Sequence, residues 1–288
     1  MIRAGGVPEH YNLPWHWAFE HHLFHEQGLD VQWKSYAAGT GAMARDFRSG
    51  KLDVAVLLTE GIIAEIAEGN PSRVVQIYVQ SPLRWGVHTG YHSGIRHLYQ
   101  LEGQKFAISR YNSGSHLMAY VLAATQNWKL GDESFEVVED IEGARKALAE
   151  NRAQAFLWEK FTTKYLVDSG EFVYLGDCFT PWPSFVIAAS LEMIEHHEGE
   201  LVRLLDFIND LTRVLHQRKD IIAILCKKYQ LKVEDAEAWF HALTWRGSYH
   251  LNQAESADIL KKLSSYRFIP PYLQAGDVFY SVDHTISR

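Results

Sequence analysis

The sequence predicts an α/β protein of two lobes with extra helices at the C-terminal end. Three observations predict it. Short apolar strands alternate with amphipathic helices as far as Ala189, the rhythm of parallel sheets with crossover helices. A strand, a Gly- or Ser-rich turn and a helix occur together twice, around Gly39-Thr40-Gly41-Ala42 and around Ser113-Gly114-Ser115. Beyond residue 190 the pattern becomes wholly helical, with apolar stripes such as Leu201, Leu204, Leu205, Ile208 and Leu215.

Taken in order, Ile2 to Val7 reads as a strand, and Asn12 as the N-cap of a helix with Pro14 in its first turn, running to Gln27 before Gly28. Strands follow at 29–36, 52–58 and 73–80, with helices at 42–49 and 62–68, a β-α-β-α-β-α-β series read as one parallel sheet. The rhythm restarts at Trp85-Gly86-Val87-His88-Thr89. His92 to Leu101 is expected to be a helical connector, Lys105 to Ser109 a strand and Ser115 to Asn127 a helix. Phe135–Val138, Ala153–Trp158 and Phe172–Leu175 read as strands, Ile141–Asn151 and Phe161–Ser169 as helices, and Asp177–Ser184 as a loop before the strand Phe185–Ala189. The expected lobes are 1–85 with 186–288, and 86–185, joined by two strands near 85–89 and 184–189 that act as a hinge.

Composition narrows the function. With 47% hydrophobic and 22% charged residues the chain is ordinary globular protein, and a net charge of −7 disfavours a nucleic-acid surface. No apolar run reaches the roughly 18 residues of a membrane span. Cys178 and Cys226 are in no metal spacing and read as buried small hydrophobes, and His21 and His25 lack a third ligand nearby, so no metal is expected. No nucleophile elbow, P-loop or dinucleotide fingerprint occurs, and no cofactor is expected.

Several stretches together carry a resemblance. They are the Gly39-Thr40-Gly41 turn, the Leu52-Asp53-Val54-Ala55-Val56 strand and the Gly103-Gln104-Lys105-Phe106-Ala107-Ile108 stretch. With them go the Ser113-Gly114-Ser115 turn, the Phe185-Val186-Ile187-Ala188-Ala189 return strand and the helices after it. The chain resembles, over nearly its whole length, the type II periplasmic binding proteins. It looks most like the subgroup that binds sulfonates, taurine, nitrate and thiamine-pyrimidine precursors. The resemblance implies a ligand cleft between the lobes that closes about the hinge. It implies a small polar, anionic or aminopyrimidine-like ligand, and an ABC-transporter permease as partner. The family's export signal or lipobox is not in the sequence as written, which reads as cytoplasmic, or as periplasmic or lipid-anchored if a signal was trimmed. A related enzyme of pyrimidine-precursor or menaquinone-pathway type is the alternative, although the cysteine-rich loop of the pyrimidine synthases is missing.

The candidate ligand-binding residues fall at strand ends. Gly39, Thr40, Gly41, Ser113, Gly114 and Ser115 offer amides and hydroxyls to a polar group, or serve as ordinary turn and cap chemistry. Thr59 and Glu60 end the third strand, and Glu9, His10 and Asn12 follow the first. Trp158-Glu159 resembles the aromatic–acid pair that holds an aminopyrimidine, or is a core Trp before a helix-start acid. Trp182, between two prolines, walls the cleft or plugs a loop. Glu60, Glu159, His10 and His116 are the side chains able to act as acids or bases, and no catalytic residue is assigned.

Overall fold

The computed structural model describes residues 1–282, and the last six residues of the first lobe's expected range, 283–288, lie outside the described residues. The chain divides into two compact units: unit 1, residues 1–81 with 182–288, and unit 2, residues 82–181. Each is built around a five-stranded sheet with helices.

In unit 1 the sheet runs β2 (Val31–Ser35), β1 (Ile2–Gly6), β3 (Val54–Leu58), β10 (Phe185–Ser190), β4 (Ser72–Val79). β1 pairs parallel with β2 and β3, but β10 is inserted between β3 and β4, antiparallel to both. The wholly parallel sheet expected from the β-α-β rhythm is therefore corrected. Hydrophobic periodicity says that a strand is buried and nothing about its direction or its neighbours. β3 and β10 are buried almost throughout, as befits central strands covered on both faces.

The single helix expected over 12–27 is also corrected. It is two, α1 (Leu13–Glu20) and α2 (Leu23–Glu26), separated where His22 takes a left-handed conformation at φ 56°. No Gly or Pro marks that break. α3 (Thr40–Arg48) follows Gly39, whose φ of 68° suits a residue without Cβ. α4 spans Thr59–Ala67. The C-terminal part of unit 1 adds α8 (Leu191–His196), α9 (Glu198–His216), α10 (Ile221–Tyr229), α11 (Val233–Ala242), α12 (Gln253–Ser265) and α13 (Ala275–Val278). α9 buries its Leu201, Leu204, Leu205, Ile208 and Leu215 stripe and packs against α1. A buried amide pair, Gln76 Nε2 donating to Asn209 Oδ1 at 2.6 Å, ties β4 to α9.

In unit 2 the order is β7 (Phe135–Val137), β6 (Phe106–Ile108), β8 (Ala155–Glu159), β5 (Arg84–Gly90), β9 (Phe172–Phe179). β6 is parallel to β7 and β8, and β5 is antiparallel to β8 and β9. The pattern of unit 1 recurs, with β5 in the place that β10 holds there. α5 (Gly114–Gln126), α6 (Ile141–Ala149) and α7 (Lys164–Asp168) complete it, over a core of Ala144, Leu148, Phe156, Leu166 and Phe172. Three further expectations are corrected. The 92–101 connector is two 3-10 turns, 91–93 and 98–101. The expected helix over 161–169 is only the five-residue α7. Residues 177–179, expected in a loop, continue β9. β5 and β10 lie wholly inside units 2 and 1, and the chain crosses at 81–82 and 181–182.

Candidate functional site

In unit 1 the carboxyl ends of β1, β2, β3 and β4 share one edge, joined there by the residues that precede antiparallel β10. In open α/β sheets this is the ligand edge. It carries the turn after β1, the start of α3, the start of α4 and Trp182–Ser184. The starts of α3 and α4 are adjacent. A Cβ at Gly61 would lie 2.8 Å from Thr40 Cγ2, so only glycine lets Thr40 pack there. Gly39 is the N-cap of α3, and its carbonyl accepts from Ala42 and Met43. The amides of Thr40 and Gly41 precede the first intrahelical bond, and the helix end adds partial positive charge.

Glu60 sits in the first turn of α4, 1% exposed. Its Oε2 accepts from the Trp182 indole N–H at 2.8 Å, while its buried Oε1 has no hydrogen-bond partner among the described residues. Burial, against the weaker effect of hydrogen bonds from its own amide and Trp182, pushes the carboxyl up to about 7. Trp182, expected either to wall a cleft or to plug a loop, is buried and donates its indole N–H to Glu60.

Three other residues of this edge are engaged within the unit, two by hydrogen bonds and one by ring packing. Thr59, a candidate ligand-binding residue, is wholly buried and donates its hydroxyl to the Pro183 carbonyl at 2.6 Å. Asn12 is positioned before α1 but its side chain makes no cap bond. Its Nδ2 donates to the Val7 carbonyl at 2.8 Å instead, and its buried Oδ1 has no hydrogen-bond partner among the described residues. His10 is enclosed by aromatic rings, 4.9 Å from Tyr11, 4.4 Å from Trp239 and 6.0 Å from Tyr229 between centroids. Burial pushes it down to about 3, so it is neutral and serves the packing of this edge. Glu9 is half-buried beside it.

Unit 2 has the equivalent edge, formed by the ends of β6, β8 and β9 and the start of β5. α5 begins there. Ser113 is its N-cap, its Oγ accepting from the His116 amide at 3.3 Å, and Ser115 Oγ accepts from the Ser109 amide at 2.9 Å and meets Ser113 Oγ at 3.1 Å. The two hydroxyls expected to face a ligand are thus bound up in the turn. The groups left open are the first-turn amides of Gly114 and Ser115. His116 Nδ1 accepts from the Asn112 amide at 3.1 Å, and burial lowers its pKa.

Trp158 and Glu159 are consecutive on β8, so they project to opposite faces. Trp158 stacks on Phe156 with centroids 5.5 Å apart and packs on the unit 2 core. The expected aromatic–acid pair is therefore not brought together. Glu159 is 5% exposed. Its Oε2 accepts from the Thr162 amide and hydroxyl at 2.7 and 2.8 Å, and its buried Oε1 has no hydrogen-bond partner among the described residues. Burial, outweighing those bonds, pushes it up to about 7. The residue paired with it across the strands is Trp85, whose buried indole N–H also has no hydrogen-bond partner among the described residues. Trp85 was invisible to sequence reasoning because only strand register pairs it with Glu159.

A polar cluster at the same edge was missed as well. Arg84 Nε donates to Asp177 Oδ2 at 2.7 Å, and Lys160 Nζ lies 3.3 Å from Oδ1 and donates to Tyr174 at 3.1 Å. Burial alone would raise Asp177, but hydrogen bonds from Arg84 and Tyr174 and the charge of Lys160 hold it below its ordinary value. Among the described residues no group of three or more His, Cys, Asp or Glu is placed to hold a metal ion.

The family described as Ca3427-like PBP matches residues 85–178. Among solved structures, the Candida albicans CA3427 gene product is 25% identical, with a TM-score of 0.81, covering 99% of this chain and 93% of that one. It is described as having the generic periplasmic binding protein fold. The alkanesulfonate-binding protein SsuA of Xanthomonas axonopodis pv. citri, bound to MOPS, is 15% identical with a TM-score of 0.79, covering 97% and 98%. The zinc-bound ligand-binding component of an ABC-type import system from Staphylococcus aureus is 14% identical with a TM-score of 0.77, covering 99% and 97%. No curated protein sequence matches the chain. With two sheets of the same strand order, an antiparallel strand in the same place in each, and these neighbours over nearly its full length, the chain has the type II periplasmic binding protein fold.

Proposed function

We propose that this protein is a solute-binding protein of ABC-importer type, or a cytosolic relative that senses or carries its solute. The observation that carries the reading is the pair of open helix starts. α3 and α5 each begin at the carboxyl edge of their own sheet with two first-turn amides that no carbonyl of the helix uses. Such amides recognise an oxygen-bearing polar group. The alkanesulfonate binding of one structural neighbour and the import role of another support the reading. A transporter permease is the partner it implies.

A thermal-shift screen tests it. The panel holds taurine, methanesulfonate and longer alkanesulfonates, nitrate, aminopyrimidine precursors and chorismate-derived acids. A ligand of the folded state at 100 times its dissociation constant stabilises by roughly 2.7 kcal/mol, a shift of several degrees. A saturable shift supports solute binding, and silence across the panel counts against it.

One observation favours a second reading. Glu60 and Glu159 both titrate at about 7, where a carboxyl exchanges protons readily at neutral pH. An enzyme on this fold would use them for acid–base chemistry. Following each thermal-shift hit by NMR for conversion separates the two, since a binding protein returns its ligand unchanged.

A further inference from the structure

Glu60 is built unlike a structural carboxylate. It is buried at the start of α4 with one oxygen held by the Trp182 indole and the other without a partner. Among the described residues no cation acts on it. α4 packs against α3, α13, β3, β4 and β10, and the charged side chains of those elements are Arg45, Asp46 and Arg48 on α3, Arg73 on β4 and Asp277 on α13. Arg48 is paired with Glu65 of α4 at 2.9 Å, and Arg73 donates to the Ser72 carbonyl. Only burial and hydrogen bonds from its own amide and Trp182 bear on the ionisation of Glu60. A buried carboxylate without a counter-charge is costly, so the group rests as the acid. Because Oε2 accepts from Trp182, the proton belongs on Oε1, which makes that oxygen a donor with nothing to donate to. The next residue, Gly61, is packed against Thr40, whose amide and that of Gly41 open the α3 helix. At the adjacent starts of two nine-residue helices, unit 1 therefore carries two first-turn amides and a buried carboxyl whose Oε1 has no partner among the described residues.

We propose that Glu60 is the specificity-determining residue of unit 1. In its acid form it donates from Oε1 to an oxygen of an anionic solute held on the Thr40 and Gly41 amides, so that binding is coupled to proton retention at Glu60. This rests on the solute-binding reading and adds to it a protonation requirement at Glu60. Ionised, Glu60 repels the same group.

The test titrates methanesulfonate, acetate, nitrate and sulfate by calorimetry from pH 6 to pH 8.5 into the wild type, Glu60→Gln and Glu60→Leu. The expected result is that at least one anion binds and that its affinity falls about tenfold per pH unit once Glu60 ionises. Glu60→Gln, a permanent neutral donor of the same shape, keeps the pH 6 affinity within threefold and loses the pH dependence, and Glu60→Leu weakens binding tenfold or more at every pH. Wild-type affinity flat in pH overturns the proposal, as does Glu60→Gln binding no better than Glu60→Leu. If the thermal-shift panel yields an uncharged or cationic ligand and none of the four anions binds, the proposal fails while solute binding stands. If the whole panel is silent, solute binding fails, and the ligand-free protein still decides on the proton. In ¹³C-glutamate NMR the resonance absent from Glu60→Gln must titrate near neutrality, and one titrating in the ordinary carboxylate range overturns the inference.

Discussion

At the scale of single residues, the two buried acids set how stability responds to pH. Glu60 and Glu159 titrate at about 7 in the folded chain and at an ordinary 4.5 when unfolded. Between those values the unfolded chain has released protons that the folded chain keeps. Their contribution is present below pH 4.5 and is lost as pH rises to 7. His10, His16 and His88, pushed down to about 3, 4 and 4 mainly by burial, work the other way. Unfolded they bind protons below pH 6.5, so their contribution is present above that value and lost as the medium acidifies through their folded pKa values. The two slopes partly cancel in the wild type, and a difference measurement separates them. Glu60→Gln is expected to gain stability over the wild type as pH rises from 5 to 8, by up to about 3 kcal/mol from a shift of roughly 2.5 pKa units. Urea denaturation at the two pH values checks it, and a pH-independent difference contradicts it. Ser115 is a separate case. Its hydroxyl joins the Ser109 amide to the Ser113 cap. Ser115→Ala is therefore expected to cost about 1–2 kcal/mol of stability, read by the same denaturation, with affinity changed less than stability.

At the scale of elements, the helix starts are the functional parts, and α5 allows a clean test. Gly114 is its first residue, and Ser113 before it is extended, at φ −93° and ψ 169°, as a residue preceding proline prefers. Gly114→Pro removes one open amide that the helix does not use. Stability is expected to hold within about 0.5 kcal/mol or rise, because proline restricts the unfolded chain, while solute affinity falls about tenfold through one lost charge-assisted bond. Chemical denaturation and calorimetry together read both. The elements themselves were largely legible in the sequence. Strand and helix positions followed from periodicity, and the Gly39–Gly41 and Ser113–Ser115 turns from composition. What could not be read was which partners the side chains choose. The Thr59 hydroxyl goes to the Pro183 carbonyl, 124 positions away in the chain, and Trp182 reaches Glu60 from 122 positions away. Trp158 and Glu159 are the opposite case. Strand alternation alone separates them once β8 is known to run through Glu159.

At the scale of the whole molecule, one strand order occurs twice. In each unit three parallel strands are followed, across the sheet, by an antiparallel strand and then a last one. In each, a buried acid with one unanswered oxygen stands at or just past the end of the third strand, Glu60 after β3 and Glu159 on β8. Sequence periodicity did not show this repeat, because in unit 1 the antiparallel strand comes last in the chain and in unit 2 it comes first. The repeat makes the two units comparable, since each carries first-turn amides at a helix start and a buried carboxyl at the same edge of its sheet. The measurement that tests this account most directly is calorimetric titration of the strongest thermal-shift ligand into the wild type and Gly114→Pro. Saturable binding to the wild type is expected, with affinity reduced about tenfold in the variant and stability held within about 0.5 kcal/mol or raised. Equal affinity in the two proteins, or a wild type that no panel member stabilises, would contradict it.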